Sequence, residues 1–284
     1  MPLFALPFPA IDPIAIQFGP LAIRWYALAY IAGILIGWWY LRRLVDSPRL
    51  WGAVDRPTAA ELDDFVLWAT LGIVLGGRIG YVLFYNLGHY LEHPTEIVQL
   101  WKGGMAFHGG LLGSIVVMVI FARRRDFSFL TLFDLFAAAA PIGLFFGRLA
   151  NFINGELWGR TTDVAWGMVF PFAGPDPRHP SQLYEAALEG VVLFAVVAHL
   201  VHRSEILKKP GALAGVFAMG YGLARFVVEF FREPDVQVGY LFGGIPMGQI
   251  LSLPMIAAGL ALFVWASAHA RRSTAHTGDG SRAP

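Results

Sequence analysis

The sequence has no cysteine and few charged residues among its 284 positions. Without cysteine, the chain can supply no disulfide, no thiolate metal ligand and no nucleophilic thiol of its own. Lys, Arg, Asp and Glu together make up 14% of the residues, against about 25% in ordinary soluble domains. The formal net charge is only +1, so the basic surplus of a nucleic-acid-binding face is missing. These deficits argue against a disulfide scaffold, a typical cytosolic enzyme and a nucleic-acid partner.

Apolar residues, by contrast, form 56% of the chain and occur in long runs. A helix needs about 20 mainly apolar residues to cross a membrane, and about seven such segments are present. They run approximately from Leu21 to Leu41, Leu62 to Tyr85, Gly104 to Phe121, Phe129 to Leu149, Leu183 to Leu200, Leu213 to Phe231 and Gln249 to Ala268. Barrel strands are only about 10 residues long and alternate in polarity. The sequence therefore predicts an all-α polytopic membrane protein with about seven transmembrane helices.

The basic residues are distributed unevenly between the two sides of these segments. One side carries Arg42, Arg43, Arg49, Arg56, Arg123, Arg124, Arg125, Arg203, Lys208, Lys209, Arg271, Arg272 and Arg282, and the other carries only Arg24, Lys102, Arg160, Arg178 and Arg232. Cytoplasmic loops are enriched in Lys and Arg. The asymmetry predicts that the N-terminus lies outside and the C-terminus in the cytoplasm.

Two stretches are too polar to span a membrane. Residues 151–182, between the fourth and fifth segments, are rich in Gly and Pro, and we expect them to form a small cap on the outer side. Residues 271–284 form a Ser-, Thr- and Gly-containing tail that we expect to be disordered in the cytoplasm. The predicted organisation is a membrane domain over residues 1–270, with the cap inserted, followed by this tail.

Seven of the charged residues within or at the ends of the apolar segments need a partner away from lipid. They are Arg78, Asp134, Arg148, Glu185, Glu189, Arg225 and Glu229. Each would cost about 2.5 to 3.5 kcal/mol if it faced lipid. We therefore expect these groups to face an interior cavity or one another.

The sixth segment carries Tyr221, Arg225 and Glu229 at four-residue intervals, which places them on one face of a helix. Arg225 and Glu229 could form an ion pair that only neutralises itself, or the stripe could line a cavity and offer a guanidinium to an anion. Arg148 has no carboxylate at helical spacing. It is therefore predicted to need an anionic partner from elsewhere.

The run from Gly147 to Gly159 is dense in hydrogen-bonding groups. Arg148 and Asn151 share a helix face, and Asn154, Glu156 and Gly159 follow where the helix should end. Such a density at the outer membrane face is hard to explain by packing alone. His108 is near the start of the third segment, and the predicted topology places it on the same outer side of the membrane as Arg148. Its role could be structural or chemical.

Together these blocks resemble the prolipoprotein diacylglyceryl transferases of the bacterial inner membrane. The resemblance rests on Gly147–Gly159, on the His-Gly-Gly-Leu stretch at 108–111, on residues 179–185, and on the Tyr221 stripe continued by residues 232–235. Ala106 is a departure, because many members have Ser there. The 179–185 stretch, including Glu185, is interpreted as structural.

The resemblance implies a seven-helix transferase with a periplasmic head and N-terminal arms. It would move the diacylglyceryl group of phosphatidylglycerol to the lipobox cysteine of preprolipoprotein signal peptides, the first step of bacterial lipoprotein maturation. A thioether would form and glycerol 1-phosphate would leave. The implied setting is the bacterial inner membrane, crossed several times and in contact with membrane lipids, with the active site facing the periplasmic leaflet. No cofactor or metal is implied.

The functional residues that the resemblance implies fall into two overlapping groups. The catalytic group is Tyr26, His108, Arg148, Arg225 and Glu229; the substrate-binding group is Arg148, Asn151, Glu156, Gly159, Tyr221 and Arg225. We add Asn154 to the substrate-binding group, because its amide lies in the same polar run and could help to orient a glycerol head group.

These residue types suit the implied reaction. A free thiol with a pKa of about 8.5 is only about 3% ionised at neutral pH, so a base such as His108 would help. Guanidinium groups such as Arg148 and Arg225 can stabilise the growing charge on a departing phosphate. A membrane transporter or binding protein for an anionic lipid or solute is the alternative. It is disfavoured because no internal repeat is evident.

Overall fold

A computed structural model describes residues 6–9, 11–19, 21–100, 103–233, 240–241 and 245–279. The α-helices are α1 (Trp25–Val45), α2 (Pro48–Trp51), α3 (Ala59–Tyr85), α4 (Leu87–Glu92), α5 (Phe107–Arg124), α6 (Phe129–Ile153), α7 (Ser181–Glu185), α8 (Leu193–Arg203), α9 (Ala212–Val228) and α10 (Met247–Asp279). A π-helical segment, Ala186–Val192, joins α7 to α8, and two 3₁₀ turns lie at Pro94–Val98 and Ile206–Lys208. The strands are β1 (Leu6–Pro7), β2 (Ile14–Phe18), β3 (Leu21–Arg24), β4 (Met168–Val169), β5 (Tyr240–Leu241) and β6 (Ile245–Pro246).

Helices dominate the fold, and the predicted all-α membrane class is confirmed. Five helical stretches are long and apolar enough to cross a membrane. They are Trp25–Val45, Ala59–Tyr85, Phe129–Ile153, Ser181–Arg203 and Met247–Ala270. Helix α9, at 17 residues, is shorter. The number of seven spans and their orientation stay predictions.

The first predicted segment begins as a strand rather than as a helix. Residues 21–24 form β3, which pairs antiparallel with β2, and Gly19 takes a left-handed φ of 56° in the turn between them. Backbone pairing to the neighbouring strand therefore delays the helix to Trp25. Sequence hydropathy alone does not separate an apolar strand of this length from the first turn of a helix.

Many large apolar side chains on the helices are exposed. Examples are Phe84, Leu67, Leu112 and Leu253, whose exposed fractions are 84%, 60%, 62% and 57%. Water would disfavour apolar surface of this extent, whereas the acyl chains of a bilayer cover it without cost. The chain is therefore a multi-pass membrane protein.

The chain divides into two compact units, one of residues 42–133 and one of residues 1–41 together with 134–284. In the first unit, α3 and α5 approach closely through glycines. A Cβ on Gly80 would lie 2.8 Å from the Cα of Gly109, and a Cβ on Gly72 would lie 2.8 Å from the carbonyl oxygen of Gly113. Small residues at these crossing points let the two backbones touch.

Arg78 is almost completely buried in the same unit, and backbone carbonyls satisfy it. Its Nε donates to the carbonyl of Ile97 at 2.7 Å, and its Nη2 donates to that of Glu96 at 2.6 Å. Its Nη1 donates to the carbonyl of Gly104 at 3.1 Å, and the guanidinium lies 5.1 Å from the ring centroid of Tyr90. Arg78 therefore holds together the backbone at residues 96–97 and 103–104.

In the second unit, Asp134 is fully buried and caps the beginning of α9. Its two carboxylate oxygens accept hydrogen bonds from the backbone N–H groups of Gly211 and Ala214, each at 2.8 Å. Those N–H groups have no partner within the helix. Hydrogen bonds from the N-terminus of α9 thus stabilise the buried carboxyl group of Asp134.

The N-terminal segment packs against the cap formed by residues 151–182. Strand β1 pairs in parallel with β4, matching Leu6 with Met168. The ring of Phe8 lies 5.4 Å from that of Phe152 and 5.2 Å from that of Phe170. This is the arrangement expected if the N-terminus and the cap lie on the same side of the membrane.

At the other end, α10 continues to Asp279. The backbone of residues 271–279 is therefore helical in the part of the tail that the structure describes, where the sequence predicts disorder. The domain boundary at residue 270 stays a prediction.

Candidate active site

Three helical stretches bring two arginines and three glutamates into one cluster. Arg148 comes from α6, Arg225 from α9 and Glu229 from the residue that follows α9. Glu185 ends α7, and Glu189 lies in the π-helical segment. All five belong to the unit of residues 1–41 and 134–284. We name them the arginine–glutamate cluster.

Glu185 bridges the two arginines. One of its carboxylate oxygens lies 2.5 Å from Nη1 of Arg225, and the other lies 3.4 Å from Nε of Arg148. Nη2 of Arg148 also lies 3.2 Å from Oε2 of Glu189. The anionic partner that Arg148 is predicted to need from elsewhere in the chain is supplied here by Glu185 and Glu189, which lie on a different helical stretch.

Glu229 and Arg225 form the pair that the sequence predicts, with Nη2 of Arg225 2.8 Å from Oε2 of Glu229. The four-residue spacing along one helical turn explains this contact. The pair is not self-contained, since Arg225 also binds Glu185. Tyr221, one turn earlier, interacts electrostatically with both arginines.

The π-helical segment sets the position of Glu189. A Cβ on Gly190 would lie 2.7 Å from Cβ of Phe145, so this segment packs very closely against α6. Only glycine allows such an approach of the backbone. The close contact brings Glu189 within reach of Arg148, and short π-helical stretches occur frequently at functional sites.

Burial differs between the two kinds of charge in the cluster. The side chains of Glu185 and Glu189 are 0% exposed, whereas those of Arg148 and Arg225 are 18% and 14% exposed. These two carboxylates are therefore more deeply buried than the arginine side chains that they contact.

A second polar cluster begins one helical turn further along α6. Nδ2 of Asn151 donates to Oε1 of Glu156 at 2.8 Å, and Nδ2 of Asn154 donates to the same oxygen at 3.4 Å. The side chain of Tyr26 hydrogen-bonds with that of Asn151. Because Arg148 and Asn151 are three residues apart on α6, the two clusters are neighbours.

The turn after α6 is held in an unusual backbone conformation. Gly155 has a φ of 65°, and Leu157, a residue with a Cβ, has a φ of 57°. The hydroxyl of Ser181 donates to the carbonyl of Leu157 at 3.0 Å, and Nε2 of Gln182 donates to that of Glu156 at 2.6 Å. The start of α7 thereby fixes the turn that presents Glu156.

Gly159 lies where three pieces of backbone meet. A Cβ there would come 2.5 Å from the carbonyl oxygen of Phe231 and 2.7 Å from that of His179. Its own N–H donates to the carbonyl of His179 at 2.8 Å. The structure thus gives Gly159 a packing role, and its contribution to substrate binding stays a prediction.

His179 and Tyr184 form an aromatic corner beside this turn. Nδ1 of His179 lies 3.1 Å from the Tyr184 hydroxyl, and Nε1 of Trp166 donates to that hydroxyl at 2.6 Å. Partial burial lowers the pKa of His179, and the nearby Asp163 opposes that change. His179 is therefore largely neutral at pH 7 and suited to structure rather than to anion binding.

Arg160 braces the end of α9. Its Nε donates to the carbonyl of Arg232 at 2.9 Å, and its Nη2 donates to that of Glu229 at 3.2 Å. Carbonyls at a helix end have no partner within the helix. This contact fixes the backbone that carries Glu229.

His108 lies in the first turn of α5, in the unit of residues 42–133, with an exposed side chain. The role of His108 as the base that accepts the thiol proton stays a prediction. Among the described residues, no group of three or more His, Asp or Glu side chains is arranged to hold a metal ion.

The sequence interpretation missed two residues of the cluster. Glu185 was assigned to structure, and Glu189 was noted only as a charge that needs a partner. A signal was present, since both are carboxylates four residues apart in an apolar segment. The sequence could not indicate that they face Arg148, because that contact joins residues about 40 positions apart.

Comparison with known proteins now identifies the family. The family model for prolipoprotein diacylglyceryl transferase matches residues 13–265. The chain is 58% identical over 275 residues to the phosphatidylglycerol–prolipoprotein diacylglyceryl transferase of Rhizobium meliloti (strain 1021), covering 96% of this chain and 97% of the relative. It is 56% identical over 266 residues to the protein of the same name from Rhodopseudomonas palustris (strain ATCC BAA-98 / CGA009), covering 93% of each chain. The chain therefore belongs to the prolipoprotein diacylglyceryl transferase family.

Proposed function

We propose that the protein transfers the diacylglyceryl group of phosphatidylglycerol to the thiol of the lipobox cysteine of a preprolipoprotein, and that the arginine–glutamate cluster holds the phosphate of the donor lipid. The observation that carries this assignment is the difference in burial within the cluster. The side chains of the two arginines are partly exposed, while those of Glu185 and Glu189, which bind them, are not. A phosphodiester is an anion that guanidinium groups bind well.

The reaction forms a carbon–sulfur bond at the glyceryl carbon and breaks the carbon–oxygen bond to the phosphate. The phosphate then leaves as glycerol 1-phosphate with more negative charge than the diester had. Arg148 and Arg225 would bind that leaving group more tightly in the transition state than in the ground state, which lowers the barrier. The thiol proton passes to a base, for which His108 is the candidate.

The second cluster would orient the glycerol head group. Asn151, Asn154 and Glu156 present amide and carboxylate groups beside Arg148. Hydroxyl groups of a glycerol can donate to Glu156 and accept from the amides. Tyr26 holds Asn151 in this network. Gly159 contributes by allowing the close backbone contacts with Phe231 and His179 beyond the turn that follows α6.

We place this site at the periplasmic leaflet of the bacterial inner membrane. Support comes from the basic residues, which concentrate on the opposite ends of the helices. The cap of residues 151–182 then lies outside, where the signal peptide of an exported preprolipoprotein presents its cysteine. The donor lipid and the peptide would both reach the cluster from the membrane.

A transfer assay with the purified protein tests the proposal. The protein in phosphatidylglycerol vesicles is incubated with a lipobox peptide, and a mass or mobility shift of the peptide is measured together with released glycerol phosphate. Both should appear, and neither should appear with a peptide whose cysteine is replaced by serine. Movement of anionic lipid between leaflets with no modified peptide would instead support the transporter alternative.

A further inference from the structure

The charges of the arginine–glutamate cluster do not balance if every group is ionised. Its ion pairs join three carboxylates, Glu185, Glu189 and Glu229, to the two guanidiniums of Arg148 and Arg225. The net charge would be negative before any substrate arrives. A phosphate entering this site would then meet an excess of negative charge in a region with little water.

Glu189 is the carboxyl that is least well supported as an anion. Its side chain is 0% exposed. Only one of its oxygens contacts Arg148, at 3.2 and 3.3 Å, and the other oxygen, Oε1, is buried without a hydrogen-bond partner among the described residues. Oε2 of Glu185 and Oε2 of Glu229 also lack a hydrogen-bond partner among the described residues, but each lies within ion-pair distance of an arginine, at 3.4 Å and 2.8 Å. An ionised carboxylate with one unsatisfied buried oxygen is strongly unfavourable.

In the part of the chain that the structure describes, two cations act on Glu189. The groups that face it are Arg148 from α6, Arg225 and Tyr221 from α9, and Glu185 from its own helical stretch. Both arginines already bind Glu185.

We infer that Glu189 carries a proton in the resting enzyme and acts as a neutral positioning residue for Arg148. As a neutral acid it accepts the hydrogen bonds of Arg148 without cancelling the guanidinium charge. Two carboxylates then balance two guanidiniums. The role in donor binding rests on the proposed function, whereas the protonation of Glu189 does not.

The consequence for the reaction is that Arg148 keeps its positive charge available for an anion. Glu189 holds the Nε and Nη2 groups of Arg148 from a fully buried position and so orients the guanidinium. An ionised Glu189 would hold the same geometry but would oppose the binding of phosphate. Glu189 thus positions Arg148, whereas Glu185 and Glu229 carry the negative charge of the cluster.

Infrared spectroscopy of the full-length protein in vesicles, without substrate, tests the protonation. A protonated carboxylic acid has a carbonyl stretching band that a carboxylate lacks. The wild type at neutral pH should show this band, and Glu189→Gln should lose the part of it that Glu189 contributes. Persistence of the whole band in the variant would put the proton on another residue and overturn the inference.

A labelled wild-type protein covers the case in which the variant does not purify. Carbon-13 in the carboxyl groups of glutamate should shift the acid band, which separates it from any aspartic acid such as Asp134. Absence of a shifted glutamic-acid band at neutral pH overturns the inference without any substitution.

Transfer kinetics test the positioning role with a pair of substitutions at one site. Glu189→Ala removes the hydrogen bonds to Arg148 and should raise the KM for phosphatidylglycerol about tenfold or more. Glu189→Gln keeps an acceptor and no charge, so it should recover most of that loss, to within about threefold of the wild type. If the glutamine variant is as impaired as the alanine variant, the negative charge is needed and Glu189 is not neutral.

The two parts of the experiment fail separately. If no peptide is modified by the wild type, the proposed function is contradicted while the infrared result still reports on Glu189. If transfer proceeds normally but the acid band is missing, the proposed function stands and this inference falls.

Discussion

At the residue scale, the chemistry depends on the shape of the guanidinium as well as on its charge. Arg148 contacts Glu185 and Glu189 with different nitrogens, and Arg225 contacts Glu185 and Glu229 with different nitrogens. Each arginine therefore uses part of its planar fork to fix its orientation, and we propose that the remaining N–H groups bind the donor lipid. Lysine has a single nitrogen and cannot divide these tasks.

We predict that Arg148→Lys and Arg225→Lys each reduce diacylglyceryl transfer by about 30- to 1000-fold, because each loses a contact worth about 2 to 4 kcal/mol in the transition state. Turnover at saturating phosphatidylglycerol is the measurement. The matched control is Arg125→Lys, whose arginine is exposed and pairs with Asp64, and it should keep normal turnover. Wild-type turnover in either cluster variant would remove that arginine from catalysis.

We predict that His108→Gln lowers turnover at neutral pH and that activity recovers in part at higher pH. The substrate thiol, with a pKa of about 8.5, ionises by itself as the pH rises and then needs no base. The measurement is the pH profile of kcat under conditions where the chemical step limits the rate. Full activity of the variant at neutral pH under those conditions would discard the assignment of His108 as the base.

At the scale of the secondary-structure elements, small residues and buried polar contacts decide how the helices pair. Helices α3 and α5 touch at Gly72, Gly80, Gly109 and Gly113. A sequence shows such glycines at four-residue spacing, and their use as a helix contact could be predicted from that spacing. The tertiary fold decides which helix supplies the partner glycines, because the spacing of glycines along one helix does not indicate which other helix it contacts.

We predict that Gly113→Ala destabilises the protein by about 1 to 3 kcal/mol, the usual cost of forcing extra volume into a packed contact. The added Cβ would collide with the backbone oxygen of Gly72, which cannot move without shifting α3. Thermal unfolding in detergent is the measurement. Gly143→Ala is the matched control within a helix, since no described atom lies within 4 Å of the added carbon. Equal stability of the two variants would contradict the close helix contact.

At the scale of the whole molecule, the orientation in the membrane decides which substrates reach the site. The uneven distribution of basic residues predicts that the cap is outside and the C-terminus is in the cytoplasm. The protein is well suited to a test, because it has no cysteine of its own.

We predict that an impermeant thiol reagent applied to intact cells labels Thr162→Cys, in the cap, and does not label Ser273→Cys, in the tail. Labelling of both positions after the membrane is permeabilised is the control for reactivity. If only the tail position reacts in intact cells, the orientation is inverted and the donor lipid must come from the other leaflet.

Composition and hydropathy were enough to determine the class of this protein. Long apolar runs leave a chain no stable alternative to spanning helices, since each backbone polar group must be satisfied within the segment. The polar run from Gly147 to Gly159 and the Tyr221 stripe likewise indicated where we propose the site. Both signals are local, because they depend on residues within one or two turns of a helix.

Only the tertiary structure decided how the charged side chains are paired. From the sequence, Arg148 has no carboxylate at helical spacing, and Glu185 is interpreted as a structural residue. In the fold, Glu185 forms ion pairs with both Arg148 and Arg225, and Glu189 forms an ion pair with Arg148. The π-helical segment and the close approach at Gly190 produce this arrangement. The physical reason is that a buried charge is stabilised by whichever opposite charge lies within a few ångströms in space, and separation along the sequence does not report that distance.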